Sequence, residues 1–401
     1  MAEPDVSSLI SVTQALAVID SAIVTPRVVQ AQLRESSGRR LAVDLLSDRD
    51  SPPFDKSLMD GFAVRAADLA GAPCELALRG RVAAGENNEI NVGPGTAVAI
   101  MTGAPLPIGA DAVVPVEQTT VTHDPQRIRF TEKATPGQFI ARRGSEVKAQ
   151  SIVLRAGQKL GAPQIAVAAS IGAARVQVFE PPSVAILGTG DELIDIEQTP
   201  VGAQIRGSNN AMLMALLNRD YTAIDLGAAP DDPAKIREKI LQGLKQDVLI
   251  IVGGMSMGER DFVPGILREL GATFKITKLR IKPGKPFIFA QMPGGKYVFG
   301  LPGNPVSAFV CCARFVTRLL DRMEGGTGQP TIFSAILEAS LPANGPREFY
   351  LPAIFNGRSV MPLAWIGSAD VFTLARANAL IIRPENQNAQ ATGEAIDLLM
   401  I

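Results

Sequence analysis

Two lysines, Lys282 and Lys285, bracket a Pro-Gly pair in the stretch LRIKPGKPFIFA. Proline fixes φ and glycine permits a tight bend, so this turn is a stiff presenter of two ammonium groups. Such groups act as point charges for an oxyanion. Solvated surface lysines are the ordinary alternative, but apolar strand-like residues flank this pair on both sides. The acidic counterparts are Asp191 and Glu192 in GTGDEL, Asp231 and Asp232 in APDDP, and Asp261 in GGMSMGERD. Carboxylates beside a phosphate repel it unless a divalent cation bridges the two. Mg²⁺ suits that task, because it takes one or two carboxylates plus phosphate oxygens. Asp-Asp-Pro is also a helix start signal, so one of that pair is expected to cap a helix. The metal role then falls first to Glu192 and Asp261.

The stretch GGMSMGERD offers amides at Gly253, Gly254 and Gly258, the Ser256 hydroxyl, and a helix start near Asp261. That combination fits a phosphate, and it also fits a plain strand-to-helix turn. No Lys-Ser/Thr follows at Walker spacing, and GTGDEL, with Gly190, does not complete a dinucleotide fingerprint. A further loop, LPGNPVS, carries Pro302, Gly303 and Asn304. SLMDGFAV and AIMTGAPLP expose Asp60 and Thr102 at turn tips.

The chain has a single histidine, His123, in a turn-like stretch. A His-based triad or His-rich zinc site is thereby disfavoured, and any metal should have oxygen ligands. The formal charge is −1, so no bulk attraction to nucleic acid follows. The longest apolar runs are too short to span a bilayer, and the N-terminus lacks a secretory pattern. Three cysteines with no CxxC argue against a disulfide framework. No membrane or nucleic-acid partner is expected, and the cytoplasm is the expected location.

Several elements must position these groups. The stretch SVTQALAVIDSAI (11–23) has helical spacing. From about 75 to 140, short alternating segments between turns predict a small antiparallel β module. From 183 the texture changes to apolar strands alternating with helical runs, which predicts a mainly parallel α/β sheet. Ligands bind at the carboxyl ends of such strands, and the five polar Gly/Pro loops fall there. After EGGTGQP (324–330), short strands with Gly, Pro and Asn turns predict a second β domain. At 401 residues, two to four domains are expected.

Taken together, SLMDGFAV, MTGAPLPIGADAVV, LGTGDEL, GGMSMGERD, KPGKP and GLPGNPVSAF resemble the molybdopterin molybdotransferase (MoeA-like) family, which includes the E domain of gephyrin. The segments occur in the family's order across nearly the whole chain. The resemblance implies four domains. An elongated discontinuous domain (1–50 and 141–180) carries an inserted β module (51–140). A three-layer α/β molybdopterin-binding domain (181–325) and a small β-barrel-like C-terminal domain (326–401) follow.

The resemblance also implies a homodimer, transient contact with a molybdopterin adenylyltransferase, and a reaction. Molybdate is inserted into adenylylated molybdopterin with Mg²⁺, releasing AMP and molybdenum cofactor. Lys282, Lys285, Ser307, Arg347 and Ser368 would then contact molybdate. Gly190, Asp191, Gly253, Gly254, Ser256, Gly258, Pro302, Gly303 and Asn304 would hold the pterin and its phosphates. Glu192, Asp232 or Asp261 would hold Mg²⁺, with Asp60 and Thr102 reaching across the dimer. Glu146 stands where an aspartate is usual and is a further metal candidate. A gephyrin-like interaction scaffold without turnover and a nucleotide-linkage hydrolase are the alternatives.

Overall fold

The computed structural model describes residues 9–22, 24–86, 89–122, 124, 126–255 and 262–401. They form two compact units. One comprises Ala31–Ser37 and Val43–Val176; the other comprises Met1–Gln30, Gly38–Ala42 and Gln177–Ile401.

The first unit is built on a six-stranded sheet. Its strands are β1 (Gly61–Val64), β2 (Cys74–Val82), β3 (Thr96–Ile100), β4 (Ala112–Pro115), β5 (Thr119–Val121) and β6 (Arg127–Phe130). The spatial order is β4-β1-β3-β2-β6-β5. The predicted antiparallel module is in fact mixed, because β2 and β3 pair in parallel. Alternation along the strands feeds two cores, one containing Phe62 and Phe130 and the other Val82, Val98 and Val113.

The second unit begins with α1 (Val12–Asp20), where Ser11 and Gln14 form a reciprocal capping box. Its sheet uses β7 (Ser183–Thr189), β8 (Thr222–Ala229), β9 (Val248–Val252), β10 (Thr273–Lys278), β11 (Pro286–Met292) and β12 (Lys296–Leu301). The helices are α2 (Ser208–Leu217), α3 (Pro233–Gly243), α4 (Phe262–Glu269) and α5 (Pro305–Cys311). The sheet order is β8-β7-β9-β12-β11-β10. Four strands run parallel from β8 to β12, and β11 runs antiparallel to both its neighbours.

Strand alternation gives this sheet two buried faces. Val184 and Ile186 enter the core under α1, α2 and α5, whereas Ala185 and Leu187 enter the core under α3 and α4. That is the three-layer arrangement that near-continuous apolar strands require. Phe289 and Phe299 stack at 4.9 Å inside it. Burial of each such ring contributes roughly 2–3 kcal/mol.

At the end of the sheet where the parallel strands begin, one carboxylate pins three strand starts. Asp247 accepts from Arg27 through both oxygens at 2.9 Å, from the Ser183 amide and hydroxyl, and from Lys296 Nζ. Burial pushes its carboxyl upward, but the hydrogen bonds from Arg27, Ser183 and Lys296 outweigh burial and hold it far below the usual range.

The C-terminal part is a closed five-stranded barrel. It comprises β13 (Ile332–Leu337), β14 (Glu348–Phe355), β15 (Ser359–Pro362), β16 (Ala379–Arg383) and β17 (Ala395–Met400), closed by the β14–β16 pairing. A two-residue strand, Ile281–Lys282, pairs in parallel with Glu348 and Phe349. The lysine turn is thereby docked on the barrel.

Candidate active site

A cleft of about 970 Å³ opens where the parallel strands end. The loops after β7, β9 and β12 supply Gly190, Glu192, Gly253, Gly254, Pro302, Gly303 and Asn304 to its wall. The lysine turn arrives differently from the expectation that it ends a strand. It leads into β11, and because β11 is antiparallel, its start lies at the same rim. Lys282 and Lys285 both line the cleft, as do Ser307, Arg347 and Ser368.

Local packing holds the lysine turn. Gly284 has φ +119°, and a Cβ there would stand 2.5 Å from Cys311 Sγ, so the turn is backed directly by α5. Lys282 Nζ lies 4.4 Å from the Phe349 ring centroid. The next strand end is tied in as well. Asn304 Nδ2 donates to Ser368 Oγ at 2.9 Å, and the Val306 amide donates to the Ser368 carbonyl. Gly253 adopts φ +92°, and a Cβ there would lie 2.6 Å from the Thr189 carbonyl oxygen. Only glycine lets these two loops approach so closely.

Among the described residues, no ion pair joins Lys282, Lys285 or Arg347 to a carboxylate. Three cations without an ion-paired carboxylate among the described residues therefore line a cleft that Glu192 and Asp231 also line. Unpaired positive charge in a concave site attracts a dianion.

The acids divide their work. Glu192 lines the cleft with its carboxylate folded against Gly190, and Asp231 lines it too. Asp191 is outside the lining set; its Oδ1 accepts from the Asp231 amide at 2.9 Å. Asp232, expected as a metal ligand or a cap, caps α3 through Oδ1, which accepts from the Ala234 and Lys235 amides. Asp231, rather than Asp232, reaches the cleft wall. Ser256, Gly258 and Asp261 lie outside the described residues, as does His123. Among the described residues, no three His, Cys, Asp or Glu side chains cluster as a metal site. That donor set still fits Mg²⁺, which needs only one or two protein carboxylates when substrate phosphate supplies the rest.

In the other unit, Asp60 is exposed and its Oδ1 accepts from the Thr102 amide at 2.7 Å and from the Thr102 hydroxyl at 2.8 Å. These bonds hold its carboxyl below the usual range. Glu146 accepts from Ser51 Oγ and Lys56 Nζ, which lower it likewise.

Sequence reasoning missed Asn209, Arg206 and Trp365, all of which line the cleft. Asn209 Nδ2 donates to the Gly303 carbonyl at 2.7 Å, tying the start of α2 to the loop after β12. The polar GSNN stretch opening an apolar helix was the available signal for Asn209. For Trp365 it was being the only tryptophan.

Comparison with known proteins agrees along the chain. Residues 10–172 match the family model "MoeA N-terminal region (domain I and II)". Residues 185–322 match "Probable molybdopterin binding domain", and residues 334–401 match "MoeA C-terminal region (domain IV)". The molybdopterin molybdenumtransferase of Haemophilus influenzae is 34% identical over 375 residues, covering 91% of this chain and 92% of that one. That of Staphylococcus aureus strain Mu50 is 32% identical over 383 residues, covering 93% and 91%. A solved structure of the molybdopterin biosynthesis MoeA protein of Pyrococcus horikoshii superposes with a TM-score of 0.86 at 29% identity, covering 98% and 100%. Relatives this similar over more than nine-tenths of its length, together with the three matching family models, place the chain in the molybdopterin molybdenumtransferase (MoeA) family.

Proposed function

We propose that this enzyme inserts molybdate into adenylylated molybdopterin, with Mg²⁺, and releases AMP and molybdenum cofactor. The observation that carries the reading is the convergence of Lys282, Lys285 and Arg347, unpaired among the described residues, at the rim of a cleft of about 970 Å³. Molybdate is a tetrahedral dianion, and cations that make no ion pair among the described residues are suited to attract it. The Gly254 amide suits the pyrophosphate linkage, while that of Gly253 is engaged by the Leu301 carbonyl. Glu192, with Asp231 beside it on the wall and Asp261 as a further candidate, would hold Mg²⁺. When bound, the metal neutralises phosphate charge as the anhydride is cleaved.

The chain's own residues act by position and field. The lysines and Arg347 fix the oxyanion beside the pterin sulfurs, with Ser307 and Ser368 as hydrogen-bonding groups. Asn209 and Asn304 brace the loop that forms the facing wall. In this reading the protein works as a homodimer with four domains per chain, and Asp60 and Thr102 are contributed from a second copy. A separate adenylyltransferase supplies the substrate, and no helix among the described residues is long and apolar enough to cross a membrane.

The test is turnover. Purified protein given adenylylated molybdopterin, Mg²⁺ and molybdate should release AMP and yield cofactor that activates a metal-free molybdoenzyme. AMP release with no metal incorporation would support a hydrolase instead. No turnover at all would point to a scaffold.

A further inference from the structure

We infer that Phe349 is a positioning residue for the oxyanion, acting through Lys282. The inference rests on the reading of the cleft as a molybdate site. Lys282 Nζ lies 4.4 Å from the centroid of the Phe349 ring, well inside the range of cation–π attraction. Phe349 does not line the cleft, whereas Lys282 does. The ring is itself fixed. Its backbone pairs with Lys282 itself in the short parallel ladder, and the ring packs against Trp365 with centroids 5.9 Å apart.

The chemistry explains why a ring stands here. A lysine has a flexible four-carbon stem and must be held if its charge is to sit in one place. A carboxylate would hold it but would also neutralise it, and would repel an incoming dianion. An aromatic face attracts the ammonium through its quadrupole and leaves the full positive charge available. Lys285 has no ring contact among the described residues, so the effect belongs to Lys282 alone.

The experiment measures the KM for molybdate and for adenylylated molybdopterin in full-length protein, together with the NMR shift of the Lys282 ε-methylene protons. Phe349→Leu should raise the molybdate KM roughly 2- to 5-fold and leave the pterin KM unchanged. The ring-current shift of Lys282 should vanish in Phe349→Leu and persist in Phe349→Tyr, which should restore the molybdate KM. In a Lys282→Ala background, Phe349→Leu should add nothing. The unchanged pterin KM reports that the variant is folded. A wild-type molybdate KM in Phe349→Leu, or an unshifted Lys282 signal in the parent protein, overturns the role of Phe349 while the reading of the cleft stands. Parent turnover that is indifferent to molybdate overturns that reading and the oxyanion role with it.

Discussion

The Asp231 backbone amide donates to Asp191 Oδ1 at 2.9 Å, so one acid of the rim is employed in holding the backbone of another. Its neighbour Asp232 is likewise employed, as the cap of α3. Of the described acids at the rim, Glu192 and Asp231 line the cleft.

This division predicts opposite phenotypes. Asp232→Ala should lower stability by about 1 kcal/mol, the usual cost of losing an N-cap, and leave AMP release near the parent rate. Glu192→Gln should keep the melting temperature and lower Mg²⁺-dependent AMP release on the order of 100-fold or more. Chelation of Mg²⁺ should reproduce the Glu192 effect. Calorimetry and chromatography of AMP decide the matter. Loss of AMP release in Asp232→Ala at unchanged stability would return that residue to the metal site.

Lys282→Ala and Lys285→Ala should each weaken molybdate use roughly 10- to 100-fold, the range for losing charged hydrogen bonds. Binding of adenylylated molybdopterin should fall much less. Titration of each ligand separately provides the check, and equal loss of both would remove the lysines from the oxyanion site.

Gly284→Ala forces a side chain into φ +119° and against Cys311. Strain of this kind costs roughly 1–3 kcal/mol. The variant should melt earlier and lose molybdate affinity together, because the displaced turn carries both lysines. A Gly284→Ala protein with parent stability and affinity would show that the turn is not braced from behind.

Asp247→Asn should cost about 2 kcal/mol near neutral pH, since Lys296 loses its carboxylate and Arg27 loses its bidentate partner while keeping Glu180. The folded carboxyl is depressed, so its contribution is complete above the ordinary carboxylate value near ~3.9 and is lost as pH falls further toward the folded value. The gap between parent and variant should therefore be constant at neutral pH and narrow from about pH 4 downward. Urea melts across that range test it. A gap that widens on acidification would contradict the sign.

Much of this was legible in the chain. The apolar runs that break into polar Gly/Pro loops marked β7, β9 and β12, because a doubly covered strand must be apolar until it leaves the sheet. KPGKP was legible through its stiff chemistry. The direction of β11 was not, since side-chain alternation reads the same in either sense. The parallel pairing of β2 and β3 was hidden for the same reason. Arg347 and Ser368 came only from resemblance to a family. Asn209 escaped because its partner, Gly303, lies 94 residues away, and Phe349 because its value depends on a lysine in another domain.

Lys282, Lys285 and Arg347, which pair with no carboxylate among the described residues, cannot tell one tetrahedral dianion from another by charge. Sulfate and phosphate should compete with molybdate, and raising salt should slow its capture. Selection of the metal must then come from the sulfur chemistry of the pterin, which sulfate and phosphate cannot complete. On the proposed reading, such a protein would concentrate oxyanions indiscriminately and leave the choice to the reaction.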